Sequence, residues 1–455
     1  MLQTMEVLEV LSTIEQRLDR PTARDLATAV SRAIHDGELA PGAKLPPIRE
    51  VARQLAMSPT TVSAGWALLA RAGTIRTEGR RGTTVADSAR PGTARYRRAL
   101  EHPAPLSLDL STGVPDASLL PGLGRALAEV TTAGTPGSYL DEPVLPELAR
   151  VLLDSWPYAA TSLTIVDGAM DAFDLVSRSW LGLGDRVVVE HPCFPPLLDL
   201  LESVGADVVG VPLDESGLEP RAFAEALATS PRAVLLQPRA QNPTGVTTTA
   251  ERAENLATLL GGTDVLVLED DSADATSTSA PLSLGRFLPG QTVHVRSFSK
   301  SHGPDLRLAA MSGPPAVMGA VATRRQHGQG WSSRLLQRIL LSLLTDGQSV
   351  AEVAAARDEY ARRREAMVTA LAERGVTVGG TEGINLWVPV HDESAALVRL
   401  ASQGVGVGPG APFNVLPDVG GHVRVTVGLV AEGHRELAEL IAAAAHTQAW
   451  GARAR

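Results

Sequence analysis

Hydrophobic residues near the N-terminus recur at helical spacing and predict three short helices. The first covers residues 22–37 and ends at Gly37. Its apolar face consists of Leu26, Ala29, Val30, Ala33 and Ile34. The second helix covers residues 48–56. The third covers residues 57–73, and its buried side consists of Val62, Trp66 and Leu69.

A basic hairpin is predicted after the third helix. Two short β-prone runs, Thr74 to Thr77 and Thr83 to Ala86, flank the sequence Gly79-Arg80-Arg81-Gly82. Three helices closed by such a hairpin predict a mostly α winged helix-turn-helix over residues 21–86, preceded by an acidic extension at residues 1–20.

The outward face of the third helix is polar, as DNA recognition requires. Ser58 suits the N-cap and Pro59 the first helical position. Thr60, Thr61 and Ser63 then lie outward near the helix N-terminus, where side chains reach base edges and N–H groups meet phosphate. We expect Arg49 to contact a phosphate, and Arg80 and Arg81 to enter the minor groove. The predicted DNA-binding set is Arg49, Ser58, Thr60, Thr61, Ser63, Arg80 and Arg81.

The rest of the chain alternates strand-like and helical segments after a predicted linker at residues 87–108. The strand-like runs are SLTIVDG, DRVVVEH, ADVVGVP, RAVLLQP, DVLVLEDD and TVHVRSFSK. This alternation predicts an α/β domain over residues 109–345, with a mostly parallel sheet that binds ligands at the carboxyl ends of its strands. Residues 346–455 begin with a long charged helix and predict a smaller α+β domain.

Charge is distributed unevenly along the chain. The whole chain carries −10, but residues 21–98 hold thirteen Lys or Arg against six Asp or Glu, a net +7. A basic segment suits a polyanion, although the same balance is typical of an ordinary solvated surface. Cys193 is the only cysteine, and no apolar run approaches the ~18 residues of a membrane span. We therefore expect a cytoplasmic protein without disulfides or a membrane segment.

Lysine is rare, since only Lys44 and Lys300 occur among 41 Lys and Arg residues. A guanidinium stays protonated and forms no Schiff base with an aldehyde, so a retained lysine is a candidate for covalent chemistry. Chance retention or a simple ion pair is the alternative. Lys300 lies at the end of a predicted strand, and the neighbouring groups Ser297, Ser299 and Arg307 suit a phosphate.

Other predicted loops supply the remaining groups of a pyridoxal 5'-phosphate (PLP) site. Asp270 suits the ring nitrogen, Asn242 the phenolic oxygen, and Phe194 stacking on the ring. Gly168 and Ala169 open a helix whose amides can hold the phosphate. Taken singly, these residues also suit a turn, a helix cap or a core position. Together with Lys300 they predict PLP as the cofactor, and no metal site is predicted.

Two family resemblances follow from these motifs. Residues 22–86 resemble the GntR family through Leu45-Pro46, Arg49-Glu50, Thr60-Thr61-Val62, Gly73 and the glycine-rich wing. Pro59 stands where many relatives carry a base-reading Arg, which leaves the sequence preference open. Residues 109–450 resemble fold-type I, class I aminotransferases through the ordered series Gly168-Ala169, Phe194, Asn242, Asp270, Lys300 and Arg307.

The aminotransferase resemblance implies that Arg424 grips a ligand carboxylate, with a structural edge-strand arginine as the alternative. Together the two halves resemble the MocR subfamily of GntR regulators. This resemblance implies a homodimer that binds operator DNA and uses its aminotransferase-like domain to sense an amino-group ligand, or the cofactor itself.

Two departures from the aminotransferase pattern favour a sensor over a catalyst. Ser272 stands where relatives carry Tyr or His, and the phosphate cup reads Asp167-Gly168-Ala169-Met170, which adds an anion and lacks a polar last residue. Both changes are expected to weaken cofactor binding or turnover. The alternatives are an active class I aminotransferase with an incidental N-terminal segment, and a regulator that no longer binds PLP. The effector, the operator and the sign of regulation do not follow from the sequence.

Overall fold

The computed structural model describes residues 10–18, 20–35, 38–40, 42–71, 74–77, 82–85, 106–130, 142–417 and 420–447. The chain divides into two compact units. One comprises the N-terminal part up to residue 94 with the segments 180–187 and 196–208, and the other comprises the remainder.

The N-terminal part has the predicted winged helix-turn-helix architecture. Residues 10–15 are helical. The helices that follow are α1 (Ala23–His35), α2 (Ile48–Gln54) and α3 (Pro59–Arg71). The strands are β1 (Lys44–Leu45), β2 (Ile75–Thr77) and β3 (Thr83–Val85), in the antiparallel order β1-β3-β2. Val62, Trp66 and Leu69 are at most 4% exposed, which confirms the predicted buried side of α3.

An eight-stranded sheet forms the centre of the following domain, in the order β5-β12-β11-β10-β9-β6-β7-β8. Its strands are β5 (Thr164–Val166), β6 (Arg186–His191), β7 (Asp207–Asp214), β8 (Gly217–Leu218), β9 (Ala233–Leu236), β10 (Leu266–Asp271), β11 (Thr292–Ser297) and β12 (Ala309–Ser312). All six predicted runs are strands. The central strands β9, β10 and β11 pair in parallel, and β12 runs antiparallel between β11 and β5.

Helices accompany this sheet in the alternation that the sequence predicts. They are α4 (Gly124–Val130), α5 (Pro146–Asp154), α6 (Ala169–Trp180), α7 (Pro195–Ser203), α8 (Pro220–Leu227), α9 (Ala250–Leu260), α10 (Pro315–Gln326) and α11 (Arg334–Thr345). Short 3-10 turns occur at Ala117–Leu119, Asp274–Thr276, Leu284–Arg286 and Pro304–Leu306. Among the described residues, no single helix is long and apolar enough to cross a membrane. The pair formed by α11 and the helix that follows it passes the same test of length and composition, but the two helices are bent by 76° at the break between them.

The C-terminal lobe has the predicted α+β pattern. Its helices are α12 (Gly347–Ala372), α13 (Glu393–Ser402) and α14 (His434–Ala445), with 3-10 turns at Ala411–Phe413 and Val427–Leu429. Its sheet has the order β13-β15-β14-β4. The strands are β4 (Leu108–Leu110), β13 (Leu386–Pro389), β14 (Val405–Pro409) and β15 (His422–Val425). β4 begins at Leu108, the last residue of the predicted linker, and pairs in parallel with β14 of the small lobe.

Candidate cofactor site and nucleic-acid interface

Lys300 and Asp270 lie at the carboxyl ends of neighbouring parallel strands. Asp270 is the last but one residue of β10, and Lys300 follows the end of β11 by three residues. Burial lowers the pKa of the Lys300 amine, and the nearby Asp270 carboxylate opposes this shift. The amine donates no hydrogen bond to any residue that the structure describes. Lys300 is thus a half-buried residue whose amine has a reduced proton affinity, as a nucleophile toward an aldehyde requires.

Both carboxylate oxygens of Asp270 receive a hydrogen bond from a neutral side chain. The Ser272 hydroxyl donates to Oδ1, and the Gln237 amide donates to Oδ2 at 2.5 Å. Burial raises the pKa of Asp270, whereas these two bonds and the charge of Lys300 lower it. Ser272, noted as a departure from the family pattern, therefore contacts Asp270 directly, and Gln237 is a contact that sequence reasoning did not single out.

Gly168, Ala169 and Arg307 are brought together at the N-terminus of α6. Gly168 has a φ of +100°, and a Cβ at this position would lie 2.9 Å from an Arg307 guanidinium nitrogen. Arg307 donates to the Asp167 carbonyl at 3.1 Å. At the carboxyl end of β11, the hydroxyl oxygens of Ser297 and Ser299 lie 3.3 Å apart. Amides, hydroxyls and a guanidinium of this kind suit a phosphate.

The carboxylate of Asp167, the anion noted in the phosphate cup, has a cationic partner. An Arg325 guanidinium nitrogen lies 3.5 Å from Asp167 Oδ2. The side chain of Arg325 is 5% exposed, and it also donates to the Ile165 carbonyl and, at 3.0 Å, to the Ser332 hydroxyl. Because Arg325 offsets the charge of Asp167, the cup gains no uncompensated anion. The sequence gives no signal for this pair, which joins residues 158 positions apart.

Arg424 and Asn242 meet although they are far apart in sequence. Arg424, in β15, is fully buried, and it donates to Asn242 Oδ1 at 3.4 Å and to the Ser111 carbonyl. Its guanidinium carbon lies 5.3 Å from the centre of the Phe413 ring. Phe194 is half-buried directly before α7. Its stacking on the ring stays a prediction.

The candidate DNA-binding residues lie around the N-terminus of α3. The Ser58 hydroxyl accepts the Thr61 backbone N–H at 3.0 Å, so Ser58 has the predicted N-cap geometry. Thr60, Ser63 and Arg49 are exposed, whereas Thr61 is half-buried with its hydroxyl 2.7 Å from that of Ser58. Arg80 and Arg81 lie outside the described residues.

The donor set fits PLP. Lys300 would supply the amine, Asp270 a carboxylate for the ring nitrogen, Asn242 an amide for the phenolic oxygen, and Arg307 with Gly168 a cationic cradle that a Cβ would fill. The fold and the site therefore define a two-part protein: a winged helix-turn-helix joined to a PLP-binding domain of the fold-type I aminotransferase class.

Known families agree with this class, and solved structures share the fold of its larger part. Residues 107–441 match the family described as "Aminotransferase class I and II", and residues 22–85 match "Bacterial regulatory proteins, gntR family". The solved multiple substrate aminotransferase from Thermococcus profundus has a TM-score of 0.69 at 23% identity, over 78% of this chain and 96% of that chain. Aspartate aminotransferase from Thermus thermophilus with maleate has a TM-score of 0.67 at 24% identity, over 78% and 97%.

Regulators are among the similar proteins as well. The vitamin B6 salvage pathway transcriptional repressor PtsJ of Salmonella typhimurium is 35% identical over 88% of this chain and 92% of its own length. The HTH-type transcriptional regulator TauR of Rhodobacter capsulatus is 30% identical over 85% and 88%. The chain therefore belongs to the MocR-type GntR regulators, whose C-terminal domain is of the aminotransferase class I and II family.

Proposed function

We propose that this chain is a transcription regulator of the cytoplasm. It binds duplex DNA through the winged helix-turn-helix and PLP through Lys300, and it senses an amino-group ligand or the cofactor itself. The observation that carries the proposal is the half-buried Lys300 amine, which interacts electrostatically with the Asp270 carboxylate, in a chain that also has an exposed polar face on α3. The name of the relative PtsJ, a repressor of a vitamin B6 salvage pathway, supports the cofactor as an effector.

PLP, when bound, supplies an aldehyde that condenses with amines and a ring that accepts electrons. The chain's own residues provide the conditions for this chemistry. Burial favours the neutral, nucleophilic form of the Lys300 amine, because a charged ammonium is poorly solvated there. Ser272 and Gln237 keep Asp270 available as an anion, which a protonated ring nitrogen requires.

Arg424 is the proposed ligand-binding cation. It is completely buried, so a carboxylate that reaches it forms a charge-assisted hydrogen bond out of contact with water. Its bonds to the Ser111 carbonyl and to Asn242 hold the guanidinium in place beside the proposed cofactor position. A ligand with both an amine and a carboxylate, such as an amino acid, matches Lys300 and Arg424 together.

The DNA-binding proposal is supported by the exposure of Thr60, Ser63 and Arg49. Side chains at the N-terminus of a recognition helix reach base edges, while the guanidinium of Arg49 suits a backbone phosphate. Contacts by Arg80 and Arg81 in the minor groove remain part of the proposal. A homodimer that binds two half-sites is proposed as well, because a two-fold protein matches a palindromic operator.

The two lysines of the chain allow a matched experiment. Purified protein incubated with PLP is expected to show a visible absorption band, and borohydride reduction should attach the cofactor to the peptide that contains Lys300. Lys300→Ala should lose both signals, whereas Lys44→Ala should keep them, because Lys44 is exposed in β1 outside the cofactor site. Colourless wild-type protein in excess PLP, without salt-sensitive binding to its own promoter region, would refute the proposal.

Amino and keto acids separate regulation from turnover. A sensor should change its absorbance on binding an amino acid and revert when the ligand is removed. Complete conversion of the bound cofactor to its amine form, reversed by a keto acid, would instead support an aminotransferase.

A further inference from the structure

Gln237 is a buried polar residue directly after β9, and it contacts two proposed cofactor-binding residues at once. Gln237 is 5% exposed. The amide nitrogen donates to Asp270 Oδ2 at 2.5 Å, and the amide oxygen accepts the Asn242 backbone N–H at 2.8 Å. One side chain thus connects the residue proposed for the ring nitrogen with the residue proposed for the phenolic oxygen.

The chemistry of these partners fixes the orientation of the Gln237 amide. A backbone N–H can only donate, so the carbonyl end of the amide faces Asn242. The NH₂ end then faces Asp270, whose carboxylate accepts hydrogen bonds when ionised. Glutamine satisfies both partners. A glutamate at this position would place a second carboxylate against Asp270, and an apolar residue would leave both partners short of one bond.

The position of Gln237 is itself fixed by a buried acid. The Gln237 backbone N–H donates to Glu190 Oε2 at 3.1 Å. Burial raises the pKa of Glu190 to about 8, so this residue is mostly protonated at neutral pH and adds little charge beside Asp270. Asp270 is therefore the main anion of this network, and it keeps acceptor capacity after its two bonds, because each carboxylate oxygen has two lone pairs.

We propose that Gln237 is a positioning residue of the cofactor site, which holds the Asp270 carboxylate ionised and oriented toward the ring nitrogen while it fixes the loop that carries Asn242. This inference rests on the proposed function, since it presupposes that PLP occupies the site. It adds a residue outside the predicted PLP-binding set, and it assigns Gln237 control over the protonation of the cofactor's ring nitrogen.

Three substitutions at this position separate hydrogen bonding from packing. Gln237→Met has a similar length but can make neither bond. Gln237→Glu, measured at a pH where the new carboxyl group is ionised, keeps an acceptor and loses the donor. Gln237→His restores one N–H donor and one acceptor nitrogen in its neutral form. The matched control is Gln337→Met, since Gln337 is also buried and, among the described residues, its side chain bonds only to the backbone of Pro143, Leu145 and Ser332.

The readouts are PLP affinity and the NMR chemical shift of the ring nitrogen in isotopically labelled PLP bound to the full chain. Gln237→Met and Gln237→Glu are expected to weaken PLP binding about tenfold or more, as the loss of a hydrogen bond to a charged group implies. They are also expected to move the ring-nitrogen shift toward that of unprotonated pyridine. Gln237→His should recover the wild-type shift at least in part, and Gln337→Met should leave it unchanged.

The outcomes distinguish this inference from the proposed function. Wild-type protein that binds no PLP refutes both. Wild-type protein that binds PLP, together with Gln237→Met of unchanged affinity and ring-nitrogen shift, overturns the role of Gln237 alone. The same is true if Gln337→Met causes an equal change, because the effect is then a general loss of buried hydrogen bonds. If Gln237→Met does not fold, Gln237→Glu and Gln237→His decide the question through the same shift.

Discussion

The buried ion pair between Arg239 and Asp271 allows a quantitative test of the fold around the site. The Arg239 guanidinium donates to Asp271 at 3.2 and 2.6 Å and to the Ser279 carbonyl at 3.0 Å. The two side chains are 4% and 3% exposed. Arg239→Met would remove the cation and leave the carboxylate buried without its main partner.

Breaking such a pair from one side destabilises a protein by about 3–5 kcal/mol. The low end applies here, about 3 kcal/mol, because two other groups remain near Asp271. The Asp274 backbone N–H donates to it at 3.3 Å, and a ring nitrogen of His294 lies 3.8 Å away. The double variant Arg239→Met with Asp271→Leu should recover much of the loss, since no buried charge is then left unpaired.

Urea unfolding of the PLP-free protein, followed by a probe of the aminotransferase-like domain, measures this loss. Arg221→Met is the control, because Arg221 pairs with Glu225 at the surface with 87% and 69% exposed side chains, and it should change stability by less than about 1 kcal/mol. If Arg239→Met were no more destabilising than Arg221→Met, the assignment of a strong buried pair would be wrong.

Three further outcomes are expected. Gly168→Ala should weaken PLP binding, because the added Cβ would lie 2.9 Å from the Arg307 guanidinium and displace it. The φ of +100° adds a folding cost of about 1–2 kcal/mol with a Cβ, which lowers stability with and without PLP. Titration with PLP measures the binding effect, and Gly319→Ala, which meets nothing within 4 Å, should bind normally. A hydrogen bond from Arg362 lowers the pKa of Glu359 from 4.5 to about 2, so Glu359 should stabilise the fold above pH 4.5 and lose this effect as the pH falls toward 2. The thermal unfolding temperatures of wild type and Glu359→Gln should therefore converge over that range, and a constant difference between them would contradict the prediction. Arg49→Ala should reduce the salt dependence of DNA binding by about two units of slope for all sequences, because each protomer of the proposed dimer loses one phosphate contact. An unchanged slope would remove Arg49 from the interface.

Local patterns were sufficient to predict most elements of the fold. The six apolar runs from SLTIVDG to TVHVRSFSK are all strands, because each is short, apolar and bounded by turn residues. The pattern did not predict β12 or β14. β12 reads Ala-Ala-Met-Ser and β14 reads Val-Gly-Val-Gly-Pro, and alanine and glycine have low strand propensity. Their neighbours in the sheets make them strands.

Contacts between distant residues at the site could not be predicted from sequence. The order of the predicted strands along the chain brings Lys300 and Asp270 to one edge of a parallel sheet, so their proximity was foreseeable. The bond from Gln237 to Asp270 requires that β9 pair with β10 in one register, and the pairing of Arg325 with Asp167 requires that α10 lie beside the loop after β5. β9 and β10 are buried on both faces, so their apolar pattern does not distinguish one register from another, and it does not place α10.

If Arg424 binds a ligand carboxylate, as proposed, its bond to Asn242 provides a route from ligand binding to the contact between the two lobes. Arg424 lies in the small-lobe strand β15, whereas Asn242 follows the large-domain strand β9, so this contact joins two lobes of one compact unit. A ligand carboxylate that binds Arg424 competes for a guanidinium that already donates to Asn242 and to the Ser111 carbonyl. A ligand shifts a conformational equilibrium only by the difference between its contacts in the two states. Exchange of the bond between Arg424 and Asn242 for a bond to the ligand carboxylate provides such a difference. A ligand with an amine but no carboxylate should therefore bind at Lys300 but change the arrangement of the lobes less.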